Sequence, residues 1–182
     1  MRIISGIRRG RKLLEFDGEF IRPTTDRVKE SMFNLIQDKI PGAVIFDAFS
    51  GTGALSLEAL SRGAEFAVCT DTDVRSIDVI RQNYENCSFT DKCRIIKSTA
   101  IEYAMKTDMR FDLIFMDPPY NKGFVTPLLK AVSDRMLLND SGIIVLESDC
   151  VDETIDFCGF NVVKERRYGR TVVTVLELNS KR

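Results

Sequence analysis

The chain has 182 residues, 44% apolar and 29% charged, with 26 basic and 27 acidic side chains and a net charge of −1, which suits one domain with a proper core. No apolar run approaches the about 20 residues of a membrane span, and the N-terminus has no secretion-signal core, so a cytoplasmic protein without membrane contact is expected. Five cysteines (Cys69, Cys87, Cys93, Cys150, Cys158) without C-x-x-C spacing read as reduced thiols, and the lack of any histidine excludes Ser-His-Asp and Cys-His catalysis and argues against zinc, so no metal is expected.

Residues 1–20 alternate irregularly around Gly6, Gly10 and Gly18, which predicts a small basic hairpin. Up to Leu14 it carries Arg2, Arg8, Arg9, Arg11 and Lys12 and no acid. Ile21-Arg22-Pro23-Thr24-Thr25-Asp26 reads as a turn ending in helix-capping residues. From there Val28, Met32, Leu35 and Ile36 recur at helical spacing up to Pro41-Gly42, an amphipathic helix of about three turns. Residues 1–40 are expected to fold as an appendage on a main domain at 41–182.

From Gly42 onward the pattern alternates between strand and helix. Strands are predicted at 43–48, 66–71, 93–97, 111–116 and 142–148, and helices at 53–62, 74–85, 99–106 and 124–136, with a weak one near 152–158. Buried apolar strands alternating with amphipathic helices imply a doubly wound parallel sheet. Phe160 to Glu165 and Thr171 to Leu178 are strand-like around Tyr168-Gly169-Arg170, so the sheet should close with an antiparallel hairpin. That hairpin holds a second basic cluster, Lys164, Arg166, Arg167 and Arg170, interrupted by Glu165.

Two stretches carry chemistry. In Phe46-Asp47-Ala48-Phe49-Ser50-Gly51-Thr52-Gly53-Ala54-Leu55, a strand ending in an acid runs through a glycine turn into a helix. Gly51 and Gly53 let the backbone come close to a ligand. Ser56 replaces the third glycine of G-x-G-x-x-G, and Asp47 would repel a phosphate but suit a cation. A ligand with an amino-acid ammonium and no phosphate fits S-adenosylmethionine. The second strand ends in Asp71, placed to accept two ribose hydroxyls, next to Thr72; Asp73 is the expected N-cap of the following helix. The third strand runs into Ser98-Thr99-Ala100, the place for an adenine contact.

The other stretch is Asp117-Pro118-Pro119-Tyr120, at the end of the buried run from Phe111 to Met116. The prolines fix φ, remove two donors and leave carbonyls free to accept. Asp117 and the Pro118 carbonyl can take two hydrogen bonds from one planar –NH2 group while Tyr120 offers a face for stacking. This suits an exocyclic nucleobase amine. The plainer alternative is a strand-terminating turn whose aspartate caps the next helix. With a base pocket between them, the two basic clusters read as a phosphate-gripping rim of Arg8, Arg9, Arg11, Lys12, Arg166 and Arg167.

R-P-T-T-D-R-V-K-E, D-A-F-S-G-T-G-A-L-S-L-E-A-L-S-R-G-A and D-L-I-F-M-D-P-P-Y, in this order, resemble the RsmD family of bacterial 16S ribosomal RNA guanine-N2 methyltransferases. The resemblance runs from Arg2-Ile3-Ile4-Ser5-Gly6 to Glu165-Arg166-Arg167-Tyr168-Gly169-Arg170-Thr171. It implies a Rossmann-like seven-stranded sheet, S-adenosylmethionine at Asp47, Phe49, Ser50, Gly51, Thr52, Gly53, Asp71, Thr72, Thr99, Ala100 and Asp117, and a base pocket from Asp117 to Tyr120. The substrate it implies is 16S rRNA or the small ribosomal subunit, methylated at a guanine of the position 966 type, and a monomer is expected. Thr99 departs from the family, where a more polar acceptor is common, and some members carry Phe in place of Tyr120. Arg22 and Thr24, just ahead of the core, are candidates for a strap across the cofactor mouth; a helix-entry turn without ligand is the other reading. Rival functions are DNA adenine-N6 methylation, which D-P-P-Y also serves, a nicotinamide oxidoreductase, and an RNA-binding module with a catalytically dead fold.

Overall fold

A computed structural model describes residues 1–15, 26–119, 122–150 and 155–179. Five helices and seven strands follow in order: α1 (Asp26–Leu35), β1 (Val44–Asp47), α2 (Ala54–Ser61), β2 (Phe66–Asp71), α3 (Val74–Asn86), β3 (Cys93–Lys97), α4 (Ala100–Lys106), β4 (Phe111–Met116), α5 (Val125–Asp134), β5 (Leu138–Asp149), β6 (Phe160–Tyr168) and β7 (Thr171–Leu178). The strands form one seven-stranded sheet in the order β3-β2-β1-β4-β5-β7-β6. From β3 to β5 every neighbour is parallel, while β7 pairs antiparallel with both β5 and β6. The expected Rossmann-like sheet with an antiparallel C-terminal hairpin is thus what the chain forms.

The chain winds outward from β1 to β3 and then returns to lay β4 on the other side of β1. This reversal opens a crevice at the carboxyl ends of β1 and β4, where ligands of such sheets bind. Side-chain alternation sorts the strands onto two faces. Ile45, Leu113, Phe115, Ile143, Val145, Val173 and Val175 pack with α1, α2 and α3; Phe46, Ile114, Met116, Ile144, Leu146 and Leu176 pack with α4 and α5. All eight residues of α2 are buried, because α1 and the N-terminal segment cover its outer side.

Residues 1–15 of the basic start form a tight antiparallel excursion, while the rest of the expected hairpin, 16–20, and the turn at 21–25 lie outside the described residues. Arg2 bridges to Lys12, and the Ile3 and Leu13 amides donate to the Arg11 and Met1 carbonyls at 3.0 and 3.1 Å. Ile3 and Leu13 are buried in the same core as α1 and α2, so residues 1–15 share the main core.

Three expectations shift. The first helix stops at Leu35 and continues as a separate 3-10 turn at Gln37–Lys39, ahead of the Pro41-Gly42 break. β5 starts four residues early, at Leu138 rather than at Gly142. Leu138 pairs with Phe111 across a register shift, and Asn139 Nδ2 donates to Asp112 Oδ1 at 2.7 Å. Finally, the weak helix near 152–158 is not seen over residues 155–158, where the chain has no regular structure before it turns at Cys158-Gly159; residues 151–154 lie outside the described residues.

Candidate active site

The turn after β1 is stitched by hydrogen bonds that few of its own side chains could provide. The Ser50 amide donates to the Thr70 carbonyl at 3.1 Å and Thr70 Oγ1 to the Ala48 carbonyl at 2.9 Å, tying the tips of β1 and β2 together. Ser50 Oγ donates to the Asp47 carbonyl at 2.8 Å, and the Gly53 amide to the Ser50 carbonyl at 2.6 Å, closing the bend. Gly53 has φ 77°, and a Cβ there would lie 3.3 Å from the Tyr84 ring and 3.4 Å from Ile80, so a side chain would be strained both by the backbone and by α3.

Asp47 is 2% exposed, and one carboxylate oxygen accepts the Ser56 amide at 3.3 Å. Burial pushes its pKa up to about 6, the Ser56 hydrogen bonds oppose that, and the Asp71 charge adds to it. A carboxylate buried among neutral serine partners favours a cation beside it. Asp71, half-buried, accepts the Gly51 amide on one oxygen at 3.0 Å and the Asp73 amide on the other at 2.9 Å. Each of those oxygens keeps a lone pair, and this geometry fits a diol. Thr72 is exposed beside it. Asp73 caps α3 as its position predicts, accepting the Arg75 amide at 2.9 Å.

At β3 the hydroxyl of Thr99 has a different employment. It accepts the Glu102 amide at 3.1 Å while the Thr99 amide donates to Glu102 Oε2 at 3.3 Å, a capping box at the start of α4, and the hydroxyl also donates to Glu102 Oε2 at 3.0 Å. Ala100, the first residue of that helix, is buried.

Asp117 and Pro118 sit at the end of β4, half-buried and buried, with Pro119 exposed. Helix α5 begins at Val125 with Phe124 at its N-cap position, so Asp117 is not the cap of that helix. In the ladder Asp47 lies opposite Phe115, and the Ala48 amide donates to the Phe115 carbonyl at 3.0 Å. Asp117 therefore stands two residues, about 7 Å, beyond the level of Asp47 and, by alternation, on the same face of the sheet. The Phe49 and Phe124 rings, 6.1 Å apart, bridge the crevice at the same edge. Tyr120, Arg22 and Thr24 lie outside the described residues.

The two basic clusters have separate places. Arg9, Gly10, Arg11 and Lys12 are exposed and, with Ile7, Arg8 and Asn86, line an open cavity of 630 Å³ against the end of α3. Arg8 is partly used internally, since Nε donates to the Cys87 carbonyl at 2.6 Å and the guanidinium lies 5.5 Å from the Phe89 ring centre. Arg166 and Arg167 project from β6, the strand at the far edge of the sheet; Arg166 donates to the Glu165 carbonyl, and Arg167 to the Gly169 carbonyl and to Cys150 Sγ.

What the sequence did not reveal is how the arm is held. Glu58, wholly buried on α2, accepts the Ile4 and Ser5 amides at 2.7 and 3.0 Å and Arg62 Nε at 2.8 Å. Buried Lys29 lies 3.5 Å from Glu58 and donates to the Arg2 carbonyl at 2.5 Å, and burial lowers its pKa. Ser61 Oγ accepts the Arg8 amide and donates to the Ser5 carbonyl. Gly6 passes so close that a Cβ would stand 1.8 Å from the Ser61 carbonyl oxygen, at φ 82°. The later half of D-A-F-S-G-T-G-A-L-S-L-E-A-L-S-R-G-A therefore docks the arm while its first half shapes the turn. Among the described residues no cluster of three metal-ligating side chains occurs, and no helix is long and apolar enough to cross a membrane.

This architecture agrees with comparisons to known proteins. The chain is 35% identical over 149 residues to the ribosomal RNA small subunit methyltransferase D of Escherichia coli (strain K12), covering 82% of this chain and 75% of the relative. It is 29% identical over 173 residues to the protein of that name in Haemophilus influenzae, covering 93% and 89%. The solved structure of Escherichia coli yhhF superposes with a TM-score of 0.88 at 28% identity, covering 100% of this chain and 99% of that one. The family described as Conserved hypothetical protein 95 matches residues 1–177. The chain belongs to that family, the RsmD-like class I methyltransferases.

Proposed function

We propose that this protein methylates the exocyclic N2 amine of a guanine in 16S ribosomal RNA, with S-adenosylmethionine as donor. The observation that carries the proposal is the placement of Asp47, Asp71 and Asp117 at the tips of three adjacent parallel strands, β1, β2 and β4 respectively, beside the crevice. The donor set fits the cofactor: a buried carboxylate for an ammonium, a carboxylate already oriented by two backbone amides for ribose hydroxyls, and a glycine turn with no phosphate cradle. When bound, the cofactor supplies an electrophilic methyl group on sulfonium sulfur.

The chain's own residues do the rest. Guanine N2 is a weak nucleophile because its lone pair is delocalised into the ring. Asp117 and the Pro118 carbonyl accept the two N2–H groups, turn that lone pair toward the methyl carbon, and stabilise the positive charge that develops on nitrogen. Held by Asp47, Asp71 and the glycine turn, the cofactor would supply the methyl group and keep the electron pair of its S–C bond, and the proton lost from N2 passes to Asp117 or to water. Holding the partners in line is worth about 7–11 kcal/mol of barrier. The base must be unpaired or flipped from its stack, with Tyr120 covering one face. Arg9, Arg11 and Lys12, together with Arg8, Arg166 and Arg167, grip the RNA backbone. The names of the relatives support ribosomal RNA as the acceptor, and the two accepting groups at the end of β4 support an amine.

The test is uptake of a labelled methyl group from S-adenosylmethionine into small ribosomal subunits from cells lacking this gene, beside duplex DNA. Uptake into subunits alone is expected. Uptake into DNA alone would favour the adenine-N6 reading, and uptake into neither would leave an RNA-binding module.

A further inference from the structure

Asn83 lies three-quarters of the way along α3 and is wholly buried, and its side chain bonds to segments outside its own helix. Its side-chain oxygen accepts the Leu14 amide at 2.7 Å. Its side-chain nitrogen donates to the Leu14 carbonyl at 3.1 Å and to the Thr52 carbonyl at 2.9 Å. One amide thus clamps both backbone groups of the residue that ends the basic arm and, with its second hydrogen, holds the middle of the glycine turn.

The Thr52 bond has leverage. The Thr52 carbonyl and the Gly53 amide belong to one rigid peptide plane. Asn83 fixes the carbonyl side, while the Gly53 amide donates to the Ser50 carbonyl at 2.6 Å on the other. Rotating this plane would break both bonds, and the Ser50 carbonyl so released shares its own peptide plane with the Gly51 amide that Asp71 accepts. Conversely, a shift of the arm at Leu14 pulls on Asn83 directly. Arg9, Arg11 and Lys12 lie two to five residues before Leu14 in the same excursion.

We infer that Asn83 is a positioning residue through which RNA held by the basic arm and cofactor held by the glycine turn raise each other's affinity. This inference rests on the methyltransferase reading above. Each ligand stiffens one end of the Leu14–Asn83–Thr52 chain, so the second finds its site already ordered. Linkage makes the effect equal in both directions.

The experiment is equilibrium dialysis of labelled S-adenosylhomocysteine with and without saturating small ribosomal subunits. In the unaltered protein the subunits should tighten binding at least about fivefold, the low end of ordinary coupling. In Asn83→Ala that factor should fall to within about twofold of unity while both ligands still bind. Ser61→Ala, which loosens the arm at its other anchor, should weaken RNA binding and keep the coupling. A coupling factor that survives in Asn83→Ala, or that falls equally in Ser61→Ala, overturns the inference, as does its absence from an unaltered protein that binds both ligands. If the unaltered protein binds neither, the methyltransferase reading fails instead. Should Asn83→Ala not fold, hydrogen exchange on the unaltered protein decides: adding S-adenosylhomocysteine should slow exchange at the Leu14 and Leu13 amides, and unchanged rates there refute the coupling.

Discussion

Asp47→Asn offers the sharpest physical test of the cofactor end. The folded protein holds this carboxyl at about 6, against 3.8 in the unfolded chain, and burial is the main cause. The group binds its proton more tightly when folded, so its ionisation penalises the fold as pH rises through the interval between those two values. A tenfold difference in proton affinity is worth about 1.4 kcal/mol, so the penalty grows from roughly 0.5 kcal/mol at pH 4 to about 3 kcal/mol at pH 7 and then levels. Asparagine keeps the shape and an acceptor for the Ser56 amide without the charge. Denaturant unfolding should show Asp47→Asn more stable than the unaltered protein by about 3 kcal/mol at pH 7, with the gap closing toward pH 4. The functional consequence runs the other way: the unaltered protein should lose cofactor affinity about tenfold for each pH step of one below about 6, and Asp47→Asn should bind weakly with little pH dependence. A stability gap that does not change with pH, or an asparagine variant less stable at pH 7, would refute the reasoning.

Other substitutions separate the site's parts. Asp117→Ala should keep cofactor affinity by calorimetry and lose about 10²–10³ in turnover, the scale for removing a preorganised charge-stabilising group; wild-type turnover would contradict the assignment. Glu58→Ala strands Lys29, Arg62 and two backbone amides and should cost about 3–5 kcal/mol in a denaturant melt; a loss below about 1 kcal/mol would mean the hub is dispensable. Gly6→Ala cannot dock against Ser61, and limited trypsin digestion should then cut at Arg8, Arg9 and Arg11 faster than in the unaltered protein. Arg9→Ala with Arg11→Ala should weaken RNA binding and flatten its salt dependence by about one to two ion equivalents, with cofactor affinity unchanged.

Much of this is legible in the sequence because the strands and the turn obey short-range rules. Phe46 and Asp47 alternate across the β1 tip, Asp73 caps a helix from the sequence alone, and the apolar run before Asp117 is short and β-rich enough to be a buried strand. The glycine turn and D-P-P stand out because their residue types make poor fold material. Glu58, Lys29 and Asn83 do not. Each is a polar residue inside an otherwise ordinary helical pattern, and its partners are backbone groups of a segment tens of residues away, which no local periodicity reports. Thr99 carries a local signal of its own: Thr-x-x-Glu at a helix start spells the capping box that forms there. Asn139 to Gly142 have turn chemistry, yet pairs with β4 at Leu138 and Ile143 on either side, and the Asn139–Asp112 contact, keep them in the strand.

The central claim is that the amine held at the end of β4 belongs to guanine. Digesting small subunits methylated by this protein to nucleosides and identifying the labelled one tests it most directly. N2-methylguanosine is expected from the unaltered protein, at an initial rate about 10²–10³ lower from Asp117→Ala. A label on adenosine or cytidine, or guanosine labelled at the unaltered rate with Asp117 removed, would contradict it.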